Sequence, residues 1–271
     1  MKKITLFIPI IAGLLACNSA SKDATSSTSD TLSYTLKSYE KHSQNCISKD
    51  SLCATVQFSY PVFGNAAFDE TIKEELINIF HNEEDSTKAR PKNFEELAKP
   101  FVEEYDKQIK EGASYATDAN KVNEDGFLAM PWNMESQTTV QRQTDKYLML
   151  HTNTYWFMGG MHPVSMEYHY VYDRTTFKRI RLEDLFVKDF DQKLLLIAEK
   201  HFRKQEGLKP ADKLDDVNGY FFENEKFLLN DNFTLTPTGI KFLYNVYEIK
   251  AYAAGVTELE IPYGELKEIL K

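Results

Sequence analysis

The clearest alternation of apolar and polar positions lies between Tyr147 and Asp173. In its second half Met166, Tyr168, Tyr170 and Tyr172 occupy one face, and Ser165, Glu167, His169, Val171 and Asp173 the other. That period of two predicts a half-buried strand whose tyrosine face looks inward. The first half is apolar on both faces, with Leu148, Leu150 and Trp156 set against Met149, Tyr155 and Phe157, so it predicts a central strand covered on both sides. Gly159 and Gly160 supply the positive φ of a tight reversal, and Pro163 cannot donate to a ladder, so pairing is expected to begin after it.

Elsewhere the periodicity predicts a strand at Ala54–Tyr60 ending at Pro61, then a helix at Ala66–Phe80 with Ile72, Leu76, Ile77 and Phe80 on its core face. A second helix starts at Asn93, spaced from Glu96 as a capping box, and buries Phe94, Leu97, Phe101, Tyr105 and Ile109. Pro100 is expected to kink this helix and Gly112 to stop it. Ala113–Asp125 follows as a loop and the boundary between two halves. Beyond the hairpin come a short strand at Lys178–Arg181, a turn at Leu182–Phe186 and a helix over Phe190–Gln205 stopped by Gly207. The chain closes with strands at Asn232–Thr236, Ile240–Ile249 and Thr257–Ile261, and a short helix after Pro262. The pattern predicts an α+β fold, an antiparallel sheet with helices packed on it, in two small subdomains at 31–125 and 126–271.

The first residues change the picture. Met1-Lys2-Lys3 precedes the apolar run Ile4–Leu15, which has signal-peptide length and is too short to span a bilayer. Leu14-Leu15-Ala16-Cys17 resembles the bacterial lipobox, which implies removal of residues 1–16 and lipid on Cys17; the alternative is an ordinary signal peptide cut nearby, or an uncleaved anchor. Lipid there would tie the protein to a membrane without crossing it. Residues 17–30 are rich in serine and threonine and without apolar periodicity, which predicts a flexible tether reaching about 20 Å on average. Asn18 after the cysteine resembles lipoproteins sorted to the outer membrane.

Charge narrows the partners. The chain carries 32 basic and 41 acidic residues, and loss of Lys2 and Lys3 takes the net charge from -9 to -11. Such a balance argues against nucleic acid and favours a basic partner, or simply a solvated acidic surface. With Cys17 lipidated, Cys46 and Cys53 remain as an even pair in an exported protein, where disulfides persist. Closing that short loop would contribute roughly 2–3 kcal/mol. The alternative, a metal site with His42, needs more ligands.

Signatures of catalysis are absent: there is no G-x-S-x-G, H-E-x-x-H or P-loop, although a glycosidase needs only two carboxylates across a cleft. No cofactor is expected. The hairpin holds His151, His162 and His169, three of the 6 histidines. If Trp156 faces Val164, His151 falls opposite His169 with Glu167 nearby, an arrangement that could hold a metal, though histidines on strands are more often structural. His162 is expected to close the loop by bonding to backbone.

The run YWFMGGMHP, followed by LEDLF and then by NFTLTPTGIKFLYNVYEIKAYAAGVTELEIPYGELKEIL, resembles the domain of unknown function shared by the RsiV anti-sigma factor ectodomain and the non-catalytic part of the PdaC peptidoglycan deacetylase. CATVQFSYPVF is similar to the smaller domain that precedes it. Met161 stands where small residues are usual, and Lys250-Ala251 where Ala-Pro is usual. The resemblance implies a cell-envelope module, one that binds lysozyme in RsiV and accompanies a separate deacetylase domain in PdaC. The expectation is a non-catalytic envelope lipoprotein that binds a lysozyme-like protein or peptidoglycan; the alternative is a glycan-active hydrolase or deacetylase of the cell wall. Tyr247, Tyr252 and Tyr263 flank the bend Tyr252-Ala253-Ala254-Gly255, where small residues would admit a partner closely. Candidate binding residues are therefore Gly159, Gly160, His162, Tyr247, Tyr252 and Gly255.

Overall fold

A computed structural model describes residues 31–46, 53–81, 89–113 and 130–271. The expected signal peptide, the tether with Cys17 and nearly all of the proposed boundary loop lie outside them. Among the described residues no helix is long and apolar enough to cross a membrane.

Two sheets carry the fold. A five-stranded sheet runs in the order β1 (Thr35–His42), β2 (Ala54–Val62), β3 (Trp132–Gln143), β4 (Tyr147–Phe157) and β5 (Val164–Asp173). A three-stranded antiparallel sheet is formed by β6 (Phe233–Leu235), β7 (Gly239–Tyr244) and β8 (Thr257–Pro262). The α+β class is as expected, with one pair, β2–β3, parallel. A parallel pair needs a long crossover, and this one contains α1 (Ala66–Phe80) and α2 (Phe94–Ala113). Because β2 and β3 pair, the first large sheet includes strands from both sides of the expected boundary at residue 125.

Those two helices cover one face of the sheet. Val56 and Phe58 of β2, Met134 of β3, Leu148 and Leu150 of β4 and Tyr170 and Tyr172 of β5 meet Phe68, Leu76, Phe80, Phe94 and Phe101. Phe58 packs on Phe80 at 5.4 Å and Phe94 at 5.0 Å, and burying such a ring stabilises the fold by about 2–3 kcal/mol. Helix α1 starts where Asn65 Oδ1 accepts the Phe68 N–H, and Asp69 accepts the N–H groups of Phe63 and Gly64. Helix α2 begins as expected: Asn93 Oδ1 accepts the Glu96 N–H. The Glu96 carboxylate reaches the Lys92 N–H. Pro100 lies inside α2, which continues through Gly112 to Ala113.

The opposite face is covered only in part. Met149 and Val171 pack into a second core with Phe202, Leu194, Phe242, Tyr244, Leu259 and Ile261, from α4 (Asp191–Gln205) and the small sheet. This corrects the expectation that β5 is half-buried with only its tyrosines inward. Its C-terminal half is buried on both faces, since His169 and Val171 lie beneath the small sheet while Tyr170 and Tyr172 face the helices.

Other differences are local. Lys178–Arg181 forms one bridge, Tyr172 with Arg179, where a strand was expected. Leu182–Leu185 is a single helical turn, α3, and the expected Ile240–Ile249 strand stops at Tyr244. Strand β2 runs through Pro61, which pairs with Leu36 of the edge strand. The expected helix after Pro262 is α5 (Tyr263–Leu266). At the β6–β7 turn, a Cβ on Gly239 would collide with the Ile261 carbonyl, so β7 and β8 meet there only because the residue is glycine.

Candidate functional site

The uncovered part of the sheet face is a groove of about 650 Å³. Its floor follows from strand alternation: in each strand the residues between the core positions point away from the helices. Register sets them in two rows across all five strands. Glu40, Gln57, Glu135, Tyr155 and Ser165 form one row; Ser38, Ser59, Gln137, Asn153 and Glu167 form the next. Val246, Tyr252, Gly255 and Val256, from the segment between β7 and β8, form the wall. Glu135 accepts from Asn133 Nδ2 at 3.0 Å, and Glu167 pairs with His151 Nε2 at 2.9 Å.

That wall is fixed to β5 by side chains acting as backbone. Asn245 Oδ1 accepts the Glu167 N–H at 2.7 Å, and its Nδ2 donates to the Glu167 carbonyl at 3.0 Å. Asn232 repeats the device one step along, accepting the His169 N–H at 2.8 Å and donating to the Glu167 carbonyl at 2.9 Å. The edge of β5 is thereby satisfied without a sixth strand, and Glu167 is held at the junction of floor and wall.

At the groove's rim three of the expected binding residues meet. The His162 ring stacks on Tyr252 at 4.3 Å between centroids, with 23° between planes. Its Nδ1 lies 2.9 Å from the Pro163 carbonyl, which can only accept. In the neutral ring Nδ1 therefore carries the hydrogen, and Nε2 accepts from Tyr247 Oη at 3.0 Å. Tyr247 and Tyr252 lie 5.5 Å apart. Contact between β4–β5 loop and β7–β8 segment thus extends the expected backbone role of His162.

Backbone at this rim is unusual. Gly159, Gly160 and Gly255 have positive φ of 85°, 102° and 69°, conformations open to glycine. Tyr247, a bulky residue, is also at 65°. It is held there by the turn in which Asn245 N–H reaches the Glu248 carboxylate. Such strain costs about 1–3 kcal/mol and concentrates at functional sites. Tyr263 departs from expectation: it lies at α5 and donates to the Thr236 carbonyl, outside the His162 cluster.

His151 faces His169 across β4 and β5, as the register inference required, and the rings stack at 4.7 Å. His169 is buried with neither ring nitrogen hydrogen-bonded to a protein group. Burial, then the neighbouring His151 and Lys241, pushes its pKa down to about 3. Among the described residues no three His, Cys, Asp or Glu side chains gather as a metal-ligand group; His151 stacks on His169 and hydrogen-bonds to Glu167. Cys46 and Cys53 are joined in a disulfide. The neighbouring backbone is fixed by Asp106, which accepts from Gln44 N, Asn45 N and Asn45 Nδ2.

The sequence pattern did not single out the floor residues Gln57, Glu135, Gln137 and Asn153, or the two clamping asparagines. An amide that alternates with buried Trp132, Met134 and Ser136 is their signal in β3, legible once that segment is taken as a strand.

Residues 47–165 match the family model described as Deacetylase PdaC, and residues 183–264 match that of a protein of unknown function, DUF3298. The expected resemblance to both families is thereby supported, while the YWFMGGMHP run, expected with the second domain, falls within the first match. The fold is that of solved DUF3298-family structures. One, from Bacteroides fragilis, shares 21% identity over 88% of this chain and 94% of that one, with a TM-score of 0.64. Another, from Pseudomonas aeruginosa, shares 19% over 90% and 96%, with a TM-score of 0.66. No curated protein matches.

Proposed function

We propose that a chain combining these two domains works in the cell envelope as a non-catalytic lipoprotein, held through Cys17 to the outer membrane, whose groove binds the glycan strand of peptidoglycan. The observation that carries this reading is the meeting of a polar, row-ordered sheet face with the His162–Tyr247–Tyr252 stack at one rim. Neighbouring strands lie about 4.8 Å apart, close to the length of one sugar in an extended β-1,4 chain. A glycan crossing the strands would meet an amide, hydroxyl or carboxylate at successive sugars, and a tyrosine face suits the C–H face of a pyranose.

Glu135 and Glu167 are two strands and two residues apart on one sheet face, with Cα atoms about 12 Å from each other, and the hydrolase alternative would use them as its carboxylate pair. A basic, lysozyme-like protein is the competing partner that the acidic composition would suit.

The test is retention of the purified protein on insoluble peptidoglycan, with released sugar and acetate measured in the same tubes. Tyr252→Ala is expected to lower retention several-fold while leaving the circular dichroism spectrum unchanged. Product release would overturn the non-catalytic reading; retention unaffected by Tyr252→Ala, or binding to lysozyme alone, would overturn the glycan reading.

A further inference from the structure

The groove has a charge as well as a shape. Its described lining includes Glu135 and Glu167 but no lysine or arginine, and the first floor row continues onto Glu40 of β1. Cations on the nearby strands are engaged elsewhere or point away: Lys41 pairs with Glu95 of α2, on the helix side, and Lys241 with Glu258. Among the described residues Glu135 has no ion-pair partner, and its one hydrogen-bond donor is the neutral amide of Asn133. A carboxylate lying on an ordered sheet floor and neutralised by nothing around it is best satisfied by a cation from outside.

Resting on the glycan reading above, we propose that the groove selects sugars bearing free amino groups, hexosamine units that lack the N-acetyl substituent, with the ammonium of one unit placed against Glu135 and that of the next unit but one against Glu167. Separation of these residues by two strands matches a charge on alternate sugars rather than on every one. Gln57, Gln137 and Asn153 then serve the ring hydroxyls, because an amide both donates and accepts. Tyr155, in the same row as Glu135, offers the ring face against which the sugar bearing the charge can lie. A lysine-rich protein segment would satisfy the carboxylates but not these amide rows, since each of its charges stands at the end of a long, flexible stem.

The experiment measures binding of the full chain by calorimetry, in mildly acidic buffer, to three probes: a β-1,4 glucosamine oligomer, its fully N-acetylated counterpart and oligolysine. The glucosamine oligomer is expected to bind best, and Glu135→Gln to weaken it by about tenfold to a hundredfold while leaving the acetylated oligomer unchanged. Raising salt should weaken the charged oligomer selectively. Equal or tighter binding of the acetylated oligomer, tighter binding of oligolysine, or indifference to Glu135→Gln would overturn the proposal. Retention on peptidoglycan, run beside it, separates the two claims: if retention persists while amine selectivity is absent, the amine proposal alone fails, and if retention is lost as well, the glycan reading fails with it.

Discussion

Replacing His169 by phenylalanine tests whether the interior of the sheet face has been understood. The imidazole is 3% exposed and stacks on His151 at 4.7 Å, and neither nitrogen meets a protein partner. Burial first, then the charges of His151 and Lys241, lowers its pKa from the ordinary 6.5 to about 3. Between those values the unfolded chain holds a proton that the folded chain refuses, so this stability is fully present above about pH 6.5 and is lost as pH falls. By about pH 4.5 the loss amounts to roughly 2.5 kcal/mol.

Phenylalanine keeps a flat ring against His151 and removes the titration. It also removes two buried polar atoms, each of which costs about 1–3 kcal/mol when unpaired. His169→Phe is therefore expected to be at least as stable as the parent at neutral pH and about 2.5 kcal/mol more so near pH 4.5. Urea unfolding of both proteins across this range gives the difference directly, because every other titrating group is common to both. Parallel profiles would refute the argument. A variant weaker at neutral pH by more than about 1 kcal/mol would also do so, because it would mean that the imidazole nitrogens are satisfied in the native state.

Asp106→Ala should destabilise the protein by about 2–3 kcal/mol and speed reduction of the Cys46–Cys53 bond by dithiothreitol, since three N–H donors of the adjoining segment lose their acceptor. Burial works to raise the Asp106 pKa, but those donors and Lys110 outweigh it and hold it below 3.8, so its contribution is present above that value and disappears as pH falls through the folded pKa. Asn245→Ala is expected to weaken peptidoglycan retention while urea unfolding shifts by only about 1–2 kcal/mol, because it frees the groove wall from Glu167 without touching the core. Cys17→Ser should move the protein out of the detergent phase in a Triton X-114 partition, and unchanged partitioning would remove the lipid anchor from the proposal.

Sequence patterning revealed elements whose buried face is apolar and hid those whose buried face is not. Helices α1 and α4 and the β4–β5 hairpin were legible because leucine, isoleucine and aromatic residues recur at one period. Strand β3 escaped because its core-facing positions include Ser136 and Thr138, and the latter is satisfied by Thr152 Oγ1 at 2.8 Å in a buried hydroxyl pair. Strand β1 escaped because it is an exposed edge, charged at Lys37, Glu40 and Lys41 as edges commonly are. Losing both strands hid the groove, whose rows exist only when five strands lie in register. The rim was legible in part. Gly159, Gly160, His162, Tyr247, Tyr252 and Gly255 could be named from local geometry, but the 85-residue separation between His162 and Tyr247 is closed by tertiary packing that no local pattern encodes.

The two ends of the large sheet bear on how such a groove would be presented. The described chain enters at one end, where Leu32 N–H donates to Gln143 Oε1, Gln143 Nε2 returns a bond to the Leu32 carbonyl, and Thr35 pairs with Val62. The His162 cluster lies past the opposite end, beyond the Trp156–Val164 pair. Strand β4 separates them by its 11 residues, about 35 Å at strand rise. The rim therefore stands at the opposite end of the sheet from the described entry of the chain, and positive φ is found at both ends: at Gly159, Gly160 and Tyr247 by the rim, and at Gly64 and Phe177 by the entry.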